Sequence, residues 1–244
     1  MLLPRVKRLK SQLYEIIIKA YKELRVKLSD TVYVSLGENC LTDHLLDRHG
    51  LKSFTTVYSH GRSNIDYAIQ LEQEEYKNLL NDEFLYHAKA GDTEVVRNNK
   101  YKTNANIFDP THSNDFEFTH HDIIKDVRHR KSLERKSRRL NKYRGSKNFK
   151  FFYHYRLNNK LSMQSLFTKA EQFIKFYEKN GKNCEFIIFT QDIVDKRSLR
   201  GVECVKHSDM VKAYTFKTTD LWAGDDAGIF AAKYDDDLIV QMFN

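Results

Sequence analysis

Proline and glycine are scarce in this chain of 244 residues, at 2 and 9, which excludes a collagen-like helix and a Pro-rich or Gly-rich linker. Long apolar runs are missing too. None approaches the ~18 to 20 residues that a helix needs to cross a bilayer, and the mean hydropathy is −0.65. The opening MLLPRVKRLKSQLYEIII spreads charges through the region where a secretory signal requires an unbroken apolar stretch and a small-residue cleavage site. The expectation is a cytoplasmic protein with, at most, peripheral membrane contact. Cysteine is limited to Cys40, Cys184 and Cys204. An odd count in a chain too long to depend on disulfide staples suits a reducing compartment and leaves thiols for chemistry. No C-x-x-C or H-E-x-x-H spacing occurs, so no metal site is expected.

What is present suffices for a sizeable core, with 41% apolar and 30% charged residues. The net charge of +8 is unevenly placed. Residues 123–145 carry ten Lys or Arg and two acids, so the remainder of the chain sums to zero. A second basic excess, eight against two, lies in residues 1–27. Such a distribution reads either as a surface for an anionic partner or as a solvated helix face. If the former, Arg128, Arg130, Lys131 and Arg135 are the candidates. A nucleic-acid partner is not expected, because the stretch has no helix-turn-helix or aromatic RNA-binding signature.

Val6, Leu9, Leu13, Ile17, Ala20 and Leu24 recur at three- and four-residue spacing, with Pro4 suited to a first helical turn. This predicts an amphipathic basic helix over 1–28, ahead of a single α/β domain over 29–244. The helix either packs on that domain or touches an anionic membrane through residues 1–27. TVYVSL (31–36) reads as a strand, Gly37-Glu38-Asn39 as a tight turn, and the segment with Leu41, Leu45 and Leu46 as a helix stopping at Gly50. Residues 65 to about 80 read as a helix and 81–115 as strands and loops. FEFTHHD (116–122) reads as a half-buried strand on which His120 shares a face with Phe116 and Phe118, and His121 with Glu117 and Thr119.

The second half is more regular. NFKFFYHYR (148–156) and CEFIIFT (184–190) read as strands around a helix with Leu166, Ala170, Phe173 and Tyr177 inward and Asn180-Gly181 as its stop. A β-α-β unit implies parallel pairing, hence an α/β fold with a mostly parallel sheet flanked by helices. Cys184 and Cys204 fall in short β-like runs and read as inert core thiols. Asp225 and Asp226, after Trp222, read as a helix cap.

Cys40 stands apart. At the start of a helix, unpaired N–H groups and the helix dipole favour a thiolate and can stabilise an oxyanion. Gly37 permits close approach of a substrate, and Asn39 can cap the helix or donate its amide to that oxyanion. Ser59 to Asn64 forms a second site-like loop, in which Arg62 can hold an anion, His60 can act as a base, and Ser63 or Asn64 either line the site or cap the next helix. His120, His121 and Asp122 are candidates for a general base with its orienting group.

The segments SLGENCL (35–41), SHGRSNIDY (59–67), FEFTHHD (116–122), RHRKSLER (128–135) and WAGDD (222–226) together resemble the bacterial family described as putative papain-like cysteine peptidases. The resemblance spans most of residues 30–230. It implies that Cys40 is the family cysteine and His121-Asp122 the family's His-Asp pair, with His120 an extra neighbour. Many members carry Phe-Asp-Trp after the first helix, where this chain has Ser59 to Tyr67, so the substrate-facing loop differs. The strand-to-helix position of Cys40 is also similar to SGNH-type hydrolases and to cysteine-dependent O-acetyltransferases.

These readings converge on a cysteine-dependent acyl-transfer enzyme acting on a small-molecule, peptide or glycan substrate. Cys40 is the nucleophile, His121 (or His120) the proton shuttle, Asn39 an oxyanion donor, and Gly37, Glu38, His60, Arg62, Ser63 and Asn64 the substrate-facing set. The acceptor is either water or a sugar hydroxyl. No cofactor is expected; without a Gly-rich nucleotide loop, a coenzyme A thioester could bind only through the basic surface. The competing reading is a non-catalytic or accessory module that binds an anionic polymer or glycan along 123–145.

Overall fold

The computed structural model describes residues 24, 28–37, 39–59, 61–103, 114–156, 161–222 and 227–243. Its principal sheet is built from the segments richest in Phe, Ile and Val: β1 (Thr31–Gly37), β5 (Asn148–His154), β6 (Cys184–Ile193), β7 (Gly201–Lys206) and β8 (Val211–Thr218). The spatial order is β1-β5-β6-β8-β7, parallel throughout except for β7, which runs antiparallel along β8. α1 (Leu41–Arg48) follows β1, and α4 (Met163–Ile174) connects β5 to β6.

Near-continuous apolar strands are what a parallel sheet covered on both faces requires. In β5, Phe149, Phe151 and Tyr153 join one buried cluster with Leu166, Ala170, Phe173 and Tyr177. Phe152 joins another with Leu41, Leu45, Leu46, Phe189, Phe216 and Trp222. The β-α-β unit expected over 148–190 is therefore present, with its four inward residues each 0% exposed. The helix itself ends earlier than expected, at Ile174 with Lys175 as its C-cap, and Asn180 and Gly181, with φ of 56° and 70°, form the turn that leads on to β6.

A second sheet departs from the single-sheet expectation. β2 (Leu85–Ala90), β3 (Thr93–Lys102) and β4 (Asp115–Phe118) form a three-stranded antiparallel sheet. α2 (Ile65–Gln73) packs against α4 and β3, and the basic stretch forms α3 (Val127–Tyr143). β4 stops at Phe118, so strand alternation does not govern His120 and His121, which lie in and just after a turn. Phe116 meets Tyr67, Tyr101 and Phe118 edge-on at 5.0–6.4 Å. It also presses on Gly61, where a Cβ would sit 2.5 Å from its ring, so only glycine fits there.

Cys184 is buried as expected, whereas Cys204 is exposed on the antiparallel edge strand β7, correcting its reading as a core thiol. The N-terminal helix expected over 1–28 lies outside the described residues apart from Leu24 and Leu28, and Asp225 and Asp226 lie outside them too. Among the described residues no helix is long and apolar enough to cross a membrane.

Candidate active site

The carboxyl end of edge strand β1 runs into α1 through a clamped turn. Gly37 has φ +142°, a conformation open mainly to glycine. It pairs with Ser63 in an antiparallel bridge, Gly37 N–H donating to Ser63 O at 3.1 Å and Ser63 N–H to Gly37 O at 3.0 Å. The buried Ser63 hydroxyl adds contacts at 3.0 Å to the carbonyls of Gly37 and Tyr58. Cys40 is the N-cap of α1, and its side chain makes no capping bond. Asn39 takes that part: its Oδ1 accepts from Leu41 N–H at 3.1 Å, while its buried Nδ2 has no partner among the described residues. Gly37, Asn39, Cys40 and Ser63 thus come together as expected. Glu38 and His60 lie outside the described residues.

The electrostatics around Cys40 differ from the expectation of a ready thiolate. Its half-buried thiol is pushed up from the ordinary cysteine range, first by burial and then by the Asp43 carboxylate, against the lowering effect of a backbone hydrogen bond. Asp43 sits one turn along α1, pairs with Lys52, and accepts from Ser35 Oγ at 3.1 Å. Its negative charge offsets the helix N-terminus.

His121 is half-buried and lies 4.9 Å from His129 between ring centroids. Burial, with the positive charges of Lys136, His129 and His120, holds it down to about 4. It is therefore a neutral base at pH 7. His120 is exposed. Asp122 turns elsewhere: it pairs with His87 Nε2 at 3.2 Å and accepts from the amides of Ile124 and Lys125. The adjacent His-Asp pairing is absent, because the Asp122 side chain closes its own turn.

Other candidates have structural employment. Arg62 pairs with Glu117, which also binds Arg97, so its expected role as an anion holder gives way to a buried ion pair. Asn64 caps α2, accepting from the amides of Asp66 and Tyr67. Arg128 folds back on Asp126 and Arg130 on Asp82, while Lys131 and Arg135 are exposed. His87, Glu94 and Asp122 bring ligand atoms within 4.8 Å of one another, a grouping able to hold a cation that the sequence spacing did not disclose; Lys125 already bridges its carboxylates.

Three residues escape sequence reasoning, two of them at the turn. His154 ends β5 opposite Gly37, is 4% exposed, and stacks on Phe189 at 5.1 Å. Thr42 Oγ1 and His154 Cβ lie 3.6 and 3.7 Å from the point where a Gly37 Cβ would stand. Thr42 Oγ1 and His154 Nδ1 are buried without partners among the described residues. Lys136 is buried within the basic helix. Only its place in the apolar stripe of α3, between Leu133 and Leu140, could have signalled it.

A cysteine on the strand-to-helix turn at the carboxyl end of a largely parallel sheet, the usual place for ligands in such folds, defines an α/β protein with a candidate thiol site. Over residues 31–196 the chain matches the model of the family described as putative papain-like cysteine peptidase, and it belongs to that family. No curated protein and no solved structure matches it.

Proposed function

We propose that this protein is a cysteine hydrolase with Cys40 as nucleophile. The observation that carries the reading is a thiol at a helix N-cap that makes no capping bond, beside an amide donor, Asn39 Nδ2, that has no partner among the described residues. In the resting site the thiol keeps its proton, so attack is base-assisted. As the Cys40 Sγ bonds to the substrate carbonyl carbon, its proton passes to the neutral His121 imidazole, and the carbonyl electron pair moves to oxygen. Asn39 Nδ2 and the free first-turn amides of α1 receive that oxyanion. Collapse of the intermediate expels the leaving group, which takes the proton from His121. Water then attacks the thioester, giving its proton to His121 while the acid forms and the thiol is restored.

Peptide, ester and thioester substrates, a coenzyme A thioester included, fit this chemistry. A sugar hydroxyl in place of water would make the same intermediate an O-acyl donor. Turnover of an ester, thioester and peptide panel by Cys40→Ala and Cys40→Ser tests the reading: both variants fall by about a thousandfold or more, and undiminished turnover in both removes Cys40 from the mechanism. A role of 123–145 in binding an anionic polymer would appear instead as binding that weakens steeply with salt and survives loss of Cys40.

A further inference from the structure

The antiparallel sheet plays no part in the hydrolytic steps, yet it gathers three metal-ligating side chains from three stretches of chain. β2 and β3 pair so that His87 faces Val96 and Lys89 faces Glu94. Glu94 therefore lies two residues from Val96 on the face that carries His87, the diagonal position that long side chains reach across a strand pair. On its other side β3 pairs with β4, Val96 against Phe118, and the chain leaving β4 brings Asp122 to the same place. His87 Nε2 lies 3.3 and 3.2 Å from the two Asp122 oxygens. One ligand atom from each of His87, Glu94 and Asp122 falls within 4.8 Å of the others. The imidazole separates this group from an ordinary pair of surface acids.

Two of the three ligands are already held in position. The Asp122 carboxylate closes its own turn, Oδ1 accepting from the amides of Ile124 and Lys125 at 3.2 and 2.8 Å, and His87 is fixed in the middle of β2. Glu94, with its side chain 59% exposed, can swing inward. Around zinc, with bonds of about 2.0–2.1 Å to imidazole nitrogen and carboxylate oxygen, neighbouring tetrahedral ligands stand about 3.3 Å apart, which matches the His87–Asp122 separation. Lys125 shows that the place suits a cation: its Nζ is 2.9 Å from Glu94 Oε2 and 3.8 Å from Asp122 Oδ2. One ammonium does not balance two carboxylates, whereas one divalent ion does. An ion pair as exposed as this adds little to stability, so Lys125 can be displaced.

We propose that His87, Glu94 and Asp122 form a zinc site and that Lys125 is the cation zinc displaces. Nε2 ligates through its lone pair, with the imidazole proton on Nδ1. One oxygen from each carboxylate completes three protein ligands, and water takes the fourth position. An imidazole among the donors favours zinc over magnesium or calcium, which take oxygen ligands. The bound ion pins the turn ahead of α3, which carries His121, to β2 and β3. This site is independent of the reading of Cys40 as nucleophile.

The full chain, stripped of metal with EDTA, is titrated at pH 7 with zinc chloride by calorimetry and with cobalt chloride by visible absorption. The expected result is one ion per chain and no thiolate-to-cobalt charge-transfer band. Binding should weaken by about tenfold or more in Glu94→Gln and in His87→Gln, because loss of even an outer-shell partner costs that much, and should tighten in Lys125→Met. Circular dichroism of each variant confirms that the fold persists, and Glu94→Gln changes only an exposed side chain. Absence of binding in the wild type overturns the proposal. So does binding that His87→Gln and Glu94→Gln both leave unchanged, or a charge-transfer band that disappears in Cys204→Ser, which would put the ion on the exposed thiol.

Discussion

Two buried polar clusters in this molecule solve opposite problems. Around Glu72, which is 2% exposed, Oε1 accepts from the hydroxyls of Tyr58, Tyr76 and Tyr177, and Oε2 pairs with Arg144. The carboxylate is saturated, and burial together with its negative charge pushes all three tyrosines well above their ordinary range. Around Cys40, by contrast, Asn39 Nδ2, Thr42 Oγ1 and His154 Nδ1 are buried with no partner among the described residues. The Glu72 cluster ties α2 and the turns flanking it to the ends of α3 and α4, and leaves no room for a ligand. The Cys40 cluster retains unspent hydrogen-bonding capacity at the mouth of the sheet. Buried polar groups left unsatisfied reduce stability, so their concentration at one turn marks a place shaped for something other than folding.

The comparison breaks most visibly in activity. Cys40→Ala is expected to lower kcat/KM by about a thousandfold or more while leaving the urea midpoint nearly unchanged, because the side chain makes no capping bond. Glu72→Leu should do the reverse. Removing one partner of a buried ion pair costs about 3–5 kcal/mol, read as a lower denaturation midpoint, with activity per folded molecule retained. A variant at either position that moved both readouts equally would erase the distinction.

Acid sensitivity sharpens it further. Burial, with a contribution from Arg156, holds His154 down to about 3, against roughly 6.5 in an unfolded chain. Between those values the unfolded state binds the proton and the folded state does not, so stability is full above about pH 6.5 and falls as pH drops. The slope is at most about 1.4 kcal/mol per pH unit. His154→Phe keeps the stack on Phe189 and should flatten much of this loss in urea titrations from pH 7 to 4, leaving the part that His121 contributes down to about 4. In catalysis His121 must be neutral to accept the proton, so kcat/KM should rise as pH increases through about 4 and hold through pH 7. A group titrating near 6.5 in its place would contradict that role. Arg128→Ala, whose side chain is 87% exposed, should leave the melting temperature unchanged.

Much of the architecture was legible because local patterns and long-range packing agree. The β-branched run before Gly37, the leucines of α1, and the inward stripe Leu166, Ala170, Phe173 and Tyr177 each specify one element and one buried face. The antiparallel sheet was not legible, since β2 is mostly half-buried and alternates weakly. His120 and His121 were placed by strand alternation in a segment where the strand had already ended. At the site, Cys40 and Asn39 were found from their position before a helix, which is local information. The thiol's charge state was not, because it depends on Asp43 and on burial beneath the rest of the fold. His154 and Lys136 were overlooked because a histidine in an apolar strand and a lysine in a basic helix look ordinary until register and burial are known.

The most direct test is peptide mapping of the wild-type chain after brief incubation with p-nitrophenyl acetate. A single acyl group on Cys40, absent from Cys184 and turning over with time, is the predicted result. Acylation confined to the exposed Cys204, or none on any cysteine while nitrophenol is still released, would contradict it.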